Sequence, residues 1–197
     1  MRLILILFAL LFLSINDRAQ LKPLSKVEVP TEQQKKQSEL NTHCIISNKY
    51  SADQRRKIYP FSMAASVRII SYTWPDSIVF GGPVPLKNGQ LNPEYVQKEK
   101  TLSQTEIDSL TQIIYNVGYR GYFFTEVDFK CYNPRNAIIF LDSSEMVKEY
   151  IELCFECQKH RLSSDKILAG DFCQEKYDLL RSFFSQMGIN YGVEKNP

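Results

Sequence analysis

The chain has 197 residues, enough for one ordinary hydrophobic core. It carries 24 Lys and Arg against 22 Asp and Glu, a formal net charge of +2. That balance argues against a nucleic-acid binder, which concentrates positive charge on one face.

Met1-Arg2 gives a positive start, and residues 3–13 are an unbroken apolar run. The run is shorter than the roughly 20 residues that span a bilayer, and it matches the central region of a secretory signal peptide. Cleavage after Ala19 gives a signal peptide at 1–19, although Asp17 sits where a small residue is preferred. The alternative is an uncleaved membrane anchor. Loss of Arg2, Asp17 and Arg18 lowers the net charge from +2 to +1. The expectation is an exported protein, periplasmic or extracellular, with no stable membrane span after cleavage and in a space that permits disulfides.

Residues 20–58 read as a polar, partly disordered lead-in. Its basic clusters, Lys35-Lys36 and Arg55-Arg56-Lys57, read as solvated surface. A single α+β domain is expected over 59–192, with a tail at 193–197. Val67, Ile69, Ile70 and Tyr72 form a strand-like set broken by Trp74-Pro75-Asp76. A second short strand is expected at 77–80. The Gly81-Gly82-Pro83 that follows is not a phosphate loop, because it lacks the Gly-Lys-Ser/Thr ending and precedes prolines rather than a helix.

A helix is predicted over 103–117. Ser103 and Glu106 form a capping box, Leu102 and Ile107 a hydrophobic staple, and Ile107, Leu110, Ile114 and Val117 one apolar stripe. Gly118 reads as a left-handed stop. Tyr119, Tyr122, Phe123, Phe124 and Phe129 then read as buried packing rather than an exposed stacking surface.

The chain is organised around a predicted β-hairpin, 136–142 and 147–155. Its first strand is continuously apolar at 137–141, so both of its faces are covered. The second alternates: Val147, Glu149, Ile151, Leu153 and Phe155 share the core face, while Lys148, Tyr150, Glu152, Cys154 and Glu156 share a face read as partly wet. Residues 160–169 read as a polar connection. A second helix is predicted over 171–187, capped by Asp171 with Gln174 reaching back, and ended by Gly188 with Ile189 as the apolar contact beyond it. The fold class is thus α+β: an antiparallel sheet centred on the hairpin, with two main helices packed on it.

Five cysteines, Cys44, Cys131, Cys154, Cys157 and Cys173, leave at least one outside an internal disulfide. In extended strand Cys154 and Cys157 would lie roughly 10 Å apart at Cα. A disulfide needs less than about 7 Å. Their direct bridge therefore requires the strand to end in a turn before Cys157. A loop at 143–145, closed by Asp142 and Met146, sets Cys131 opposite Cys157. Cys154 and Cys173 then form the second candidate pair, Cys157–Cys173 is a rival, and Cys44 is the unpaired candidate. An alternative is a zinc site drawn from Cys131, Cys154, Cys157 and Cys173, with His160 able to replace one thiolate. A redox-active Cys154-Phe155-Glu156-Cys157 is a third reading, although such motifs sit at the start of a helix.

The run Cys131-Tyr132-x-Pro134-Arg135-x-Ala137-Ile138-x-Phe140-x-Asp142, followed by Tyr150-Ile151-Glu152-x-Cys154-Phe155-x-Cys157, resembles a group of uncharacterised exported bacterial proteins. The likeness continues through Gly170-Asp171-Phe172-Cys173 to Gly188-Ile189-x-Tyr191-Gly192. It implies export and carries no activity over to this chain. Where those proteins place a glycine in the hairpin turn, this chain has Glu145.

A Ser-His-Asp or Cys-His catalytic set is hard to build from His43 and His160 alone. Glu149, Glu152 and Glu156 read as strand surface rather than a glycosidase pair. Arg135 is the candidate ligand-binding residue, suited to a carboxylate, with an ion pair to Glu152 or Glu156 as the alternative. The expected function is a small exported, non-catalytic, cysteine-stabilised domain that binds a peptide, a glycan or an envelope partner. The rival is an exported thiol-redox or zinc-dependent protein using Cys154 and Cys157.

Overall fold

The computed structural model describes residues 30–75, 82–123 and 131–193. The expected signal peptide, the strand at 77–80, Phe124, Phe129 and residues 194–197 lie outside them.

The elements run α1 (Glu32–Asn41), β1 (Cys44–Ile46), α2 (Ala52–Arg56), β2 (Ser66–Tyr72), β3 (Leu86–Lys87), β4 (Gln90–Leu91), β5 (Val96–Thr101), α3 (Gln104–Asn116), β6 (Val117–Tyr119), β7 (Asn136–Leu141), β8 (Val147–Cys154), β9 (Lys159–Leu162) and α4 (Gln174–Gln186). The main sheet is antiparallel in the order β5-β2-β7-β8-β9. β1 pairs with β6, and β3 with β4, in two small ribbons.

Strand alternation divides the sheet into two covered faces. Val67, Ile69, Ile138, Phe140, Ile151 and Leu153 face the helix layer, where they join Leu110 and Ile114 of α3 and Leu180 and Phe184 of α4. Full burial of each such side chain is worth roughly 1.5–3 kcal/mol. The opposite residues, Ile70, Tyr72, Ala137, Ile139 and Leu141, form a smaller cluster closed by Val84. Every residue of β7 is buried, as its unbroken apolar run requires.

The capping box predicts the start of α3 well. Ser103 accepts from the Glu106 amide, and the Glu106 carboxylate accepts from the Ser103 amide. Its end departs from expectation. Gly118 is not a left-handed stop, because Val117 turns straight into extended backbone and the chain continues as β6. The glycine is needed there for space: a Cβ would sit 2.5 Å from the Ser47 hydroxyl oxygen. At the end of α4, Gly188 does take φ +80, and the buried Ile189 donates its amide to the Phe184 carbonyl.

The α4 cap also departs from expectation. The N-cap residue is Cys173 rather than Asp171, and no side chain caps the helix. The first turn of α4 is instead tied to β1, since the Cys44 amide donates to Glu175 at 2.8 Å and His43 pairs with the same carboxylate. The lead-in is likewise more structured than its composition implies. The compact unit begins at Glu32. Arg55 is buried rather than solvated: it donates to the Thr111 hydroxyl at 3.2 Å and to the Tyr50 and Asp108 carbonyls.

The hairpin turn is closed by Asp142, whose carboxylate accepts from the amides of Ser144 at 2.8 Å and Met146 at 3.1 Å. These bonds hold its pKa below the usual carboxylate range, the Met146 amide contributing most. Glu145 takes φ +62, uncommon for a non-glycine residue, and its carboxylate pairs with Arg68 on the neighbouring β2.

Candidate functional site

The edge of the sheet builds the site. β8 ends at Cys154, the chain turns through residues 155–158, and β9 returns along β8. Residues 159–162 are therefore the edge strand, not a polar connection. Their alternation places His160 beside Leu153, toward the helix layer, and Arg161 beside Glu152, on the other face.

Cys131, just before β7, is bonded to Cys157 in the turn, with a Cα separation of 5.6 Å. Cys44, expected to be unpaired, is instead bonded to Cys173, 129 positions away, with a Cα separation of 5.3 Å. This bond joins β1 to the start of α4, and it displaces both expected partners of Cys173, namely Cys154 and Cys157. Cys154 is the free cysteine, and it is buried. Its thiol donates to the Asn133 carbonyl at 3.4 Å. The sulfurs of Cys131, Cys154 and Cys157 all lie within 4.8 Å of one another. The four-cysteine zinc set is not assembled, since Cys173 belongs to the other bridge and two of the three grouped sulfurs are already joined. His160 lies among aromatic rings rather than with the sulfurs: it shares a hydrogen bond with the Tyr177 hydroxyl at 2.9 Å and stacks on Phe172 at 3.7 Å. Cys154 is the last residue of a strand, not the first of a helix as in thioredoxin-type motifs.

Beside the Cys131–Cys157 bridge lies an open cleft of about 620 Å³, lined by Tyr119, Tyr132, Lys159, Arg161, Phe172 and Tyr177 among others. The Arg161 guanidinium sits 4.1 Å above the Tyr132 ring. Burial, helped by the charge of Lys176, pushes His160 down to about 4, so its ring is neutral at pH 7. Two other clefts offer less. One contains Arg68, Glu99 and Glu145, whose charges pair with one another. The other is apolar around the exposed Ile46 and Leu179.

The second face of β8 is partly wet, as expected: Lys148 and Glu156 are exposed, while Glu152 and Cys154 are buried. Glu152 is 1% exposed. It accepts from the Val84 amide at 2.6 Å and from the Tyr132 hydroxyl at 3.0 Å. Burial raises its pKa, against the lowering effect of those two donors. Burial also raises the Tyr132 phenol, and the Glu152 carboxylate adds to the shift. Glu149, on the helix side, is buried too. Burial alone would raise it, but the hydroxyls of Ser163, Tyr59 and Ser164 hold it below the usual range. These carboxylates are on opposite faces and cannot act as a glycosidase pair.

Arg135 lies 3.6 Å from Glu156 and does not line the cleft. Tyr122, read as buried packing, is exposed. The cleft residues Tyr132, Arg161, Phe172 and Tyr177 escaped the sequence reading. The one available signal was the period-two alternation of Lys159 and Arg161 against His160 and Leu162.

Among the described residues no helix is long and apolar enough to cross a membrane. The two disulfides fit an oxidising environment. No protein-family description, curated protein or solved structure matches the chain.

Proposed function

We propose that this protein is an exported, non-catalytic domain, clamped by its cystines, that binds a carboxylate-bearing ligand in the cleft beside Tyr132 and Arg161. Export is supported by the short apolar run behind Arg2 together with two disulfides. Binding is supported above all by the Arg161 guanidinium, which sits over the Tyr132 ring at 4.1 Å within a cleft lined with aromatic side chains. A planar guanidinium fork can meet a carboxylate with two parallel hydrogen bonds. The Glu152 carboxylate is buried and already satisfied by two donors.

The carboxylate can belong to an acidic peptide or to an acidic glycan, and calorimetry separates the two. Oligoglutamate and oligogalacturonate are titrated into the full chain, with a neutral oligosaccharide as control. One acidic probe is expected to bind, weaken with salt, and lose at least about tenfold in affinity in the Arg161→Ala protein, the worth of one charge-assisted hydrogen bond. Failure of both acidic probes, or equal affinity for the Arg161→Ala protein, would overturn the reading.

A further inference from the structure

The sequence set one condition for a direct Cys154–Cys157 bridge: the strand must end before Cys157. The structure meets it. β8 stops at Cys154 and the next four residues form a turn, with Gln158 at φ +49. A turn of this kind brings residues i and i+3 within about 7 Å at Cα, inside the range a disulfide accepts. The Cys154 sulfur already lies within 4.8 Å of both bridged sulfurs.

We propose that these three cysteines form an exchangeable disulfide in which Cys154 is the internal nucleophile. The Cys154 thiol gives up its proton, and the thiolate attacks the sulfur of Cys157. The Cys131–Cys157 bond breaks, its electron pair leaves on Cys131, and that sulfur takes up a proton. One bond forms, one breaks, and the number of disulfides is unchanged, so no external oxidant or reductant is consumed. The bridge moves from one that ties the segment before β7 to the turn to one that lies wholly within the turn. Cys131, half-buried on the rim of the cleft, becomes a thiol. Residues 131–135, including Tyr132 of the cleft, lose their covalent anchor. The domain thereby gains a redox-neutral release for one wall of its cleft, and a thiol there able to form mixed disulfides with small disulfide compounds or cystine-bearing peptides.

A buried free cysteine is often only a small apolar side chain, so the test must separate exchange from packing. The full chain is held in a glutathione redox buffer, quenched with acid, alkylated and digested with trypsin. The sequence makes the outcome readable, because cleavage isolates residues 131–135 from residues 149–159, and the latter peptide contains both Cys154 and Cys157. The native form appears as the two peptides joined, with one alkyl group on Cys154. The exchanged form appears as an alkylated 131–135 and an untagged 149–159 that lacks two hydrogens. Both forms are expected in the natural protein, and the second should be lost entirely in Cys154→Ser. In Cys131→Ser, Cys154 and Cys157 should pair, leaving no titratable thiol in a protein that keeps its Cys44–Cys173 bond. The proposal fails if Cys154 alone is alkylated under every redox ratio. It fails equally if Cys131→Ser, folded and with Cys44–Cys173 intact, shows two reactive thiols. If Cys131→Ser does not fold, the redox-buffer result on the natural protein decides. Exchange can occur with no ligand binding, and ligand binding with no exchange, so failure here leaves the proposed function standing.

Discussion

The two disulfides make the same bond in different company. Cys44–Cys173 closes 129 positions and joins an N-terminal strand to the start of α4, with no third cysteine beside it. Cys131–Cys157 closes only 26 positions at the mouth of a hairpin, and a free thiol lies within 4.8 Å. Sequence separation governs how much a cross-link restrains the unfolded chain, while the neighbourhood governs whether the cross-link can be replaced. The first bridge is therefore the stronger staple, and the second the one with a substitute at hand.

The widest gap between them should appear on removal. Replacing Cys44 and Cys173 together by serine is expected to cost about 5 kcal/mol in the chain-entropy treatment, against about 3.5 kcal/mol for Cys131 and Cys157. Urea midpoints of the two double variants measure the difference. If the short bridge proves the costlier, strain or contacts outweigh loop length and the comparison breaks.

Acid should probe the surroundings of the short bridge next. His160 holds a folded pKa of about 4, below its ordinary 6.5, so the unfolded chain takes up the proton first. Stability is intact above pH 6.5 and falls as pH drops toward 4, by on the order of 2 kcal/mol once partial exposure is allowed for. His160→Phe keeps a ring to stack on Phe172 and should flatten that part of the profile. A variant whose acid curve matches that of the natural protein would show that the histidine is not buried as neutral imidazole.

The smallest effect belongs to the long bridge. Hydrogen bonding to His43, with the Cys44 amide assisting, lowers the pKa of Glu175. Its contribution is present above the usual carboxylate range and lost as pH falls through the lowered value. The pair is exposed, so Glu175→Gln should cost no more than about 1 kcal/mol near pH 6 and less in high salt.

What the sequence disclosed was local. Ser103 and Glu106 announce a helix start within four residues, and the unbroken apolar run at 137–141 announces a strand covered on both sides. What stayed hidden was non-local. Nothing near Cys44 points to Cys173, because their meeting depends on β1 finding β6. Alternation in β8 separates two faces, one of them read as partly wet, but cannot say that Val84 closes part of that face over Glu152. A bulge between Phe140 and Leu141 shifts the hairpin pairing by one residue, a change that composition does not encode. The cleft shares this cause, since it forms where β9 folds back and brings Arg161 onto a tyrosine 29 positions earlier.

The bridges are also nested, the pair at 131 and 157 lying inside the loop closed by 44 and 173. A chain delivered from its N-terminus presents Cys44 first and its correct partner last, with three other sulfurs passing in between. The inner link can close while the chain is still emerging; the outer one must wait. Were an oxidant to act faster than delivery, Cys44 would meet a wrong sulfur first, and correct pairing would then require reshuffling.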